Sequence, residues 1–372
     1  MTEPGHPLVS RAVVLEDFGR PLAMRSFEVS PPGPGELVVR CGYGGVCGTD
    51  VHLSRGNLAI AVPLVLGHEG LGTVHELGAG LTHDATGAAL AAGDTVMWAS
   101  SIACGHCVPC RQWREPTLCE SRRTYGVNRP LSQHPALSGS WAEYIHLREG
   151  TTVVRLPDGT DPLAAMALAC AGPTMVHALH ERRPVRVGET VVVQGSGPVG
   201  LAAAAIAQLS GAARVIVVGG PAGRLELARL ARIGDEHLDI VGGDDPDTVF
   251  DRVRELTGGR GADLVIECTG VPAAVAQGLR LARRGGAYLV VGQYTDAGDT
   301  AVNPHQIVFR QLDVIGSWAF TGAHLVDYVR LLPALTARCD LKALVTVFPL
   351  AAANEAVTAA RTGSVLKAVL AG

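Results

Sequence analysis

The chain has 372 residues, a length that suggests two domains and a core large enough to fold without covalent staples. A net charge of −4 argues against a nucleic-acid partner. No run approaches the ~20 apolar residues of a membrane span, and the opening MTEPGHPLVSRAVVLEDFG has no apolar core of a secretory leader. We therefore expect a cytoplasmic protein with no membrane partner. The cations are nearly all arginine, only Lys342 and Lys367 being lysine, and no function is read from that bias.

Up to about residue 171 the chain is a series of short strand-like runs broken by Gly and Pro: GELVVRCGYGGVCG, GLGTVHELG, GDTVMWAS and GSWAEYIHL. This pattern fits a β-rich domain with inserted loops. Cys47, in GVCGTDVHLSRG, and His68, in VLGHEGLGTV, stand at Gly-rich ends of apolar runs, where a turn exposes a side chain. Residues 82–92 read as a surface hairpin loop.

Next comes CGHCVPCRQWREPTLC, with Cys104, Cys107, Cys110 and Cys119 inside sixteen residues. Nine cysteines, an odd number, in a protein expected in a reducing compartment favour metal over disulfides. Four thiolates complete the zinc tetrahedron, and a closed site is structural; an iron–sulfur cluster is the lesser alternative. Metal chemistry would need a second, open site. Cys47, His68 and Cys170, the last in MALACAGPTMVHAL, are its candidates.

Residues 172–317 alternate helix-like and strand-like runs, which predicts a parallel sheet. TVVVQGSGPVG (190–200) is a β-branched run followed by G-x-G-x-x-G, then a helix-like run ending at Gly211 and a second strand, RVIVV. In that setting the motif is a dinucleotide fingerprint. Gly195 makes the tight turn, Gly197 admits the pyrophosphate, and Gly200 allows close helix–strand packing. Where an NAD enzyme places an acid for the adenosine ribose, this chain has Gly219, with Arg224 nearby. Arg224 suits a ribose or a 2′-phosphate, which leaves NAD and NADP open with a lean to NAD. Gly219→Asp is expected to favour NAD. GADLVIECTG (261–270) and GGAYLVVGQ (285–293) are further strand-like runs. The tail, 318–372, carries helix-like runs such as AAANEAVTAARTG and ends in SVLKAVLAG.

CGTDVH, GHEGLGTV, the four-cysteine loop and GSGPVG, in this order, resemble the zinc-dependent medium-chain alcohol dehydrogenases over nearly the whole chain. The resemblance implies an α/β protein with a β-rich GroES-like catalytic domain, 1–171 with 318–372. It pairs this with a Rossmann doubly wound domain, 172–317, and sets the active site in the cleft between them. It makes Cys47, His68 and Cys170 the catalytic zinc ligands, with Glu69 beside the metal and Asp50 holding the ligand histidine. The four-cysteine loop holds a structural zinc; the family usually has seven residues between its last two cysteines and this chain has eight, so a one-residue bulge is expected. Val199, Thr269 and Val291 fall near the nicotinamide half, and Lys367 near the pyrophosphate. Thr49 takes the alcohol proton and passes it through the cofactor ribose to His52. The substrates are small alcohols and carbonyls, the assembly a homodimer or homotetramer.

Polyol and threonine dehydrogenases resemble the chain too, but usually carry a carboxylate where Cys170 stands. Ser100 replaces a bulky aromatic of some ethanol-active relatives, leaving room for a secondary, cyclic or aryl alcohol. Trp98, Trp141 and Trp318 line the pocket or belong to the core. A noncatalytic zinc- and dinucleotide-binding protein is the rival reading. Five chemistry-bearing residues together, Cys47, Thr49, His52, His68 and Cys170, disfavour it, and they disfavour a zinc-free quinone reductase as well.

Overall fold

A computed structural model describes residues 7–242 and 246–372. Residues 1–6, where the expected catalytic domain starts, and 243–245, inside the expected cofactor domain, lie outside the described residues. The chain forms two compact units, one of residues up to 170 with 321–330 and 345–372, the other of 171–320 with 331–344. The tail therefore does not return to the first unit as one block. Residues 331–344 group with the second unit: Leu332, Leu335, Leu341 and Leu344 are buried, and the Asp340 N–H donates to the Ala231 carbonyl at 3.1 Å. Among the described residues no helix is long and apolar enough to cross a membrane.

The first unit is built on a seven-stranded sheet around the strand Leu37–Gly45. That strand pairs antiparallel with Glu69–Leu77, Tyr144–Leu147 and the C-terminal strand Lys367–Ala371. Leu37, Val39 and Cys41 alternate onto one face and pack against Val74, Val96, Trp98 and Ile145, as a period-2 apolar pattern requires. A second cluster gathers Val46, Leu53, Leu66, Trp141 and Leu370. The final apolar run, read with the tail, is thus a strand. It crosses beside Gly44 and Gly45, which brings Lys367 next to the turn that carries Cys47.

The second unit holds a six-stranded parallel sheet. Its order is Glu236–Asp239, Arg214–Gly219, Thr190–Gln194, Ala262–Glu267, Ala282–Val290, Asp313–Gly316. In chain order this is 3-2-1-4-5-6, the doubly wound arrangement, with strand order reversing beside Thr190–Gln194. Val191, Val192 and Val193 are fully buried, as expected of a strand covered on both faces. The helix Pro198–Leu209 lies close to the sheet because its buried side chains are mostly alanine.

Candidate metal centres and catalytic site

Cys47 stands just before the helix Gly48–Ser54, and its N–H donates to Asp50 Oδ2 at 2.9 Å. The other Asp50 oxygen lies 3.2 Å from His68 Nδ1. One fully buried carboxylate thus closes the helix start and fixes the imidazole. With Nδ1 committed to Asp50, Nε2 is the nitrogen left for a metal. His68 enters from Gly67, whose φ of +98° places the chain in the left-handed region. Cys170 follows the helix Pro162–Ala167. Ligand atoms of Cys47, His68, Glu69 and Cys170 all lie within 4.8 Å of one another.

The electrostatics belong to a charged, largely buried site. Cys47 is held well below the usual thiol range, chiefly by the hydrogen bond with Cys170 and, against the push of burial, by His68. Burial pushes the His68 imidazole down, but the Asp50 charge and hydrogen bonds with both thiols outweigh it and raise it. Lys367 is 3% exposed, and its ammonium contacts the Glu69 carboxylate and donates to the Val46 carbonyl at 3.2 Å. Burial depresses Lys367 while Glu69 and Cys47 raise it; burial raises Glu69 against the pull of Lys367. These shifts favour a charged lysine and a more easily protonated acid. The ionised pair is the better description, because a neutral Glu69 would strand a buried ammonium. Sequence reading set Lys367 near the pyrophosphate. In the structure the C-terminal strand delivers it to Glu69.

Two thiols, an imidazole and a carboxylate converging in a partly buried space suit zinc. With Glu69 engaged by Lys367, three ligands remain, the number found at catalytic zinc sites. Thr49 Oγ1 lies 3.9 Å from Cys47 Sγ. His52 is half-buried on the same helix, its Nδ1 3.2 Å from the Asn57 side-chain nitrogen.

The second cluster also fits. The Sγ atoms of Cys104, Cys107, Cys110 and Cys119 lie within 4.8 Å of one another. Backbone N–H groups of Cys104 and Cys107 donate to Cys119 Sγ and Cys104 Sγ at 3.2 and 3.4 Å. Donation from the His106 and Cys107 N–H groups pulls the Cys104 thiol down to about 6. The extra residue before Cys119 is taken up by a π-helical turn, Pro109–Trp113, closed by Arg114 at φ 59°. A π-turn is how a helical segment absorbs one additional residue.

Of the tryptophans, Trp98 and Trp141 are core: both are buried, and Trp141 Nε1 donates to the Gly45 carbonyl at 3.0 Å. Trp318 is partly exposed and stacks on Tyr294 at 4.8 Å. Ser100 is buried.

In the second unit Gly195 has φ +116°, and a Cβ on Gly200 would collide with the Gly195 carbonyl. Gly197 precedes the helix, whose first turn has no side-chain cap and whose Pro198 and Val199 open it. Thr269 and Val291 are organised by a residue the sequence reading passed over. Glu267 is fully buried and accepts from Thr269 N–H and Oγ1, each at 2.6 Å, Gly270 N–H at 2.9 Å and Gly292 N–H at 3.1 Å. An acid ending a strand looks ordinary in sequence; its buried fan of donors is tertiary.

A Cβ on Gly219 would meet Ser196 Oγ at 2.8 Å and Ser196 N at 2.9 Å. Ser196 Oγ is itself bonded to the Gly220 backbone, donating at 2.9 Å and accepting at 3.1 Å. A Gly219→Asp side chain would therefore need the Ser196 turn to shift before it could reach a ribose. Arg224 stands in the first turn of the next helix, with Nε buried and without a hydrogen-bond partner among the described residues.

Two family descriptions match the chain: "Alcohol dehydrogenase GroES-like domain" over residues 33–158 and "Zinc-binding dehydrogenase" over 198–334. The 5-exo-hydroxycamphor dehydrogenase of Pseudomonas putida is 33% identical over 365 residues, covering 97% of this chain and 98% of that protein. A crystal structure of an alcohol dehydrogenase from Thermotoga maritima superposes with a TM-score of 0.92 at 35% identity, covering 98% of this chain and 99% of that one. A dehydrogenase from Sinorhizobium meliloti 1021, described as zinc-binding and bound to NADP, gives a TM-score of 0.84 at 27% identity over 98% of this chain and 100% of that one.

Proposed function

Because the chain belongs to the zinc-dependent medium-chain alcohol dehydrogenases, oxidoreductases that act by hydride transfer on small alcohols and carbonyls, we propose that it interconverts a ring-borne secondary alcohol and its ketone. The reading includes one catalytic zinc, one structural zinc and a nicotinamide dinucleotide. The observation that carries it is the meeting of half-buried Cys47 and Cys170 with buried His68, with Glu69 engaged by Lys367. The small Ser100 and the similarity to a dehydrogenase of hydroxycamphor, a bicyclic secondary alcohol, support the substrate class.

Bound zinc would lower the hydroxyl pKa by several units, and the nicotinamide would accept the hydride. Cys47, His68 and Cys170 hold the metal. Lys367 keeps Glu69 occupied, which would leave bound zinc available to the substrate hydroxyl. Asp50 holds the His68 tautomer. Thr49 accepts the hydroxyl proton at Oγ1, and His52, three residues along the same helix, passes it to water; imidazole is suited to trading protons near neutral pH. Glu267 positions the Thr269 and Val291 loops for the nicotinamide half, and Gly195 to Gly200 take the pyrophosphate. Gly219 itself offers no carboxylate to a 2′-phosphate, Asp239 stands beside it on the neighbouring strand and Arg224 opens the next helix, so acid and base oppose each other there and discrimination between NAD and NADP is mild.

Cys104, Cys107, Cys110 and Cys119 hold the structural zinc. The open thiols suit a reducing cytoplasm. Exposed Val308, Phe309 and Val314 along the edge of the parallel sheet support a homodimer or homotetramer.

The test is a screen of zinc-replete protein against bicyclic and monocyclic secondary alcohols, linear primary alcohols, polyols and threonine, each with NAD and NADP, followed at the reduced nicotinamide absorbance. Ring alcohols should exceed the others in kcat/KM by at least about tenfold. A preference for polyols or threonine would overturn the substrate class, and no turnover at all would overturn the reading.

A further inference from the structure

The parallel-sheet unit has a second concave site away from its fingerprint. A cavity of about 840 Å3 is lined by Arg254, Arg260, Arg280, Arg283, Arg284 and Arg310, and among the described residues no carboxylate lines it. Arg260 precedes the strand Ala262–Glu267, Arg283 and Arg284 begin the strand Ala282–Val290, and Arg310 lies just before Asp313–Gly316. These are the amino ends of three neighbouring parallel strands. Dinucleotides bind at the carboxyl ends, so the cavity is free when the fingerprint is full.

Among the described residues the charge is not balanced locally. Asp247 pairs with Arg280 at 3.0 Å and Asp263 with Arg283 at 2.6 Å. Arg254, Arg260, Arg284 and Arg310 have no carboxylate partner among the described residues. Two of these guanidiniums are held in place. Arg310 Nη1 donates to the Leu279 carbonyl at 2.7 Å; Arg284 Nη2 donates to the Phe309 carbonyl at 3.3 Å and sits 4.6 Å over the Phe309 ring. Burial and the charges of Arg254 and Arg284 push Arg310 below its ordinary value, so the like charges feel one another. Repulsion of this kind is relieved by a multiply charged anion seated among the guanidiniums.

We propose that this cavity binds a small anion bearing a chain of two or three phosphates, free or carried on a nucleoside. Guanidinium forks pair with phosphate oxygens two at a time, and roughly 300–1,000 Å3 is the size of small-ligand sites. The bound anion would tie the ends of three strands together without touching the catalytic unit's chemistry. The proposal does not depend on the catalytic reading.

The test uses the full chain, zinc-replete and saturated with NAD so that the fingerprint is occupied. Tripolyphosphate and ATP are titrated in by calorimetry. One equivalent should bind, more weakly as salt rises. Equal affinities would identify the phosphate chain as the ligand, and tighter ATP a nucleoside-borne one. Arg254→Ser with Arg284→Ser should weaken binding by at least about tenfold, with the melting temperature as the folding control. Arg260→Ser, in an exposed loop, gives a second reading if that pair fails to fold. Arg252→Ser, exposed on the same helix as Arg254 and outside the cavity, should bind as the parent does. Absence of binding, an equal loss in Arg252→Ser, or binding of a single-stranded RNA oligonucleotide but not tripolyphosphate would overturn the proposal.

Discussion

The ammonium of Lys367 is buried against the carboxylate of Glu69, 298 residues away in sequence, beside the thiol of Cys47. Each charge is tolerated in that dry site because the other is present. Removing one partner should cost about 3–5 kcal/mol, the scale for stranding a buried charge. Lys367→Met should therefore lower the melting temperature sharply, and Lys367→Met with Glu69→Gln should recover most of the loss. Equal melting temperatures for the single and double variants would show that the two are not coupled.

Glu267 predicts a different phenotype. Replacing it with Gln keeps the size but turns an amide group towards N–H donors that need an acceptor. Losing hydrogen bonds to a charged acceptor costs about 1.5–3 kcal/mol each. Glu267→Gln should weaken cofactor binding by at least about tenfold while leaving zinc content unchanged. Cofactor affinity equal to the parent's would remove Glu267 from the positioning role.

The cysteine loop and the fingerprint were legible in sequence because their chemistry is local. Ligand spacing sits inside sixteen residues, and the fingerprint joins a strand to a helix. Cys47 and His68 were marked by glycines at the ends of apolar runs. The alternating pattern of 172–317 announced the parallel sheet. What the sequence concealed depends on long-range register. Lys367 reaches Glu69 only because the last strand pairs beside Gly45. The space above Gly219 is filled by Ser196, a residue on another strand's turn. The grouping of 331–344 with the second unit, which the Asp340–Ala231 hydrogen bond marks, is likewise long-range and not specified by periodicity.

Arg224 should set what cofactor preference there is. A single guanidinium on a 2′-phosphate is worth about 1.5–3 kcal/mol. Arg224→Ala should therefore reduce kcat/KM for NADP by about tenfold or more and change that for NAD much less. Equal losses with both cofactors would place Arg224 outside the adenosine ribose site.

Stability should respond to acid through Glu189. Burial pushes its carboxyl up, but hydrogen bonds from Arg183 at 2.6 and 2.7 Å and from the Arg186 N–H at 2.9 Å outweigh it, and it ends below its ordinary 4.5. A folded-state value below the unfolded one means that the unfolded chain binds the proton first. The stabilisation is complete above the unfolded value and is lost as pH falls through the folded one. Glu189→Gln should lower the urea midpoint at neutral pH, by about 1–3 kcal/mol of stability, and flatten its fall below 4.5. A variant that keeps the parent's acid slope would rule out this pair as a contributor.

The most direct test of the catalytic zinc assignment is metal content measured alongside turnover in Cys170→Ala. The parent should carry two zinc equivalents per chain and the variant one. Cofactor binding should be retained, because the fingerprint glycines are untouched. Oxidation of a ring alcohol should fall by about a thousandfold or more, since the hydroxyl would no longer be acidified. A variant that kept both zinc equivalents, or that lost one and still turned over near the parent rate, would contradict it.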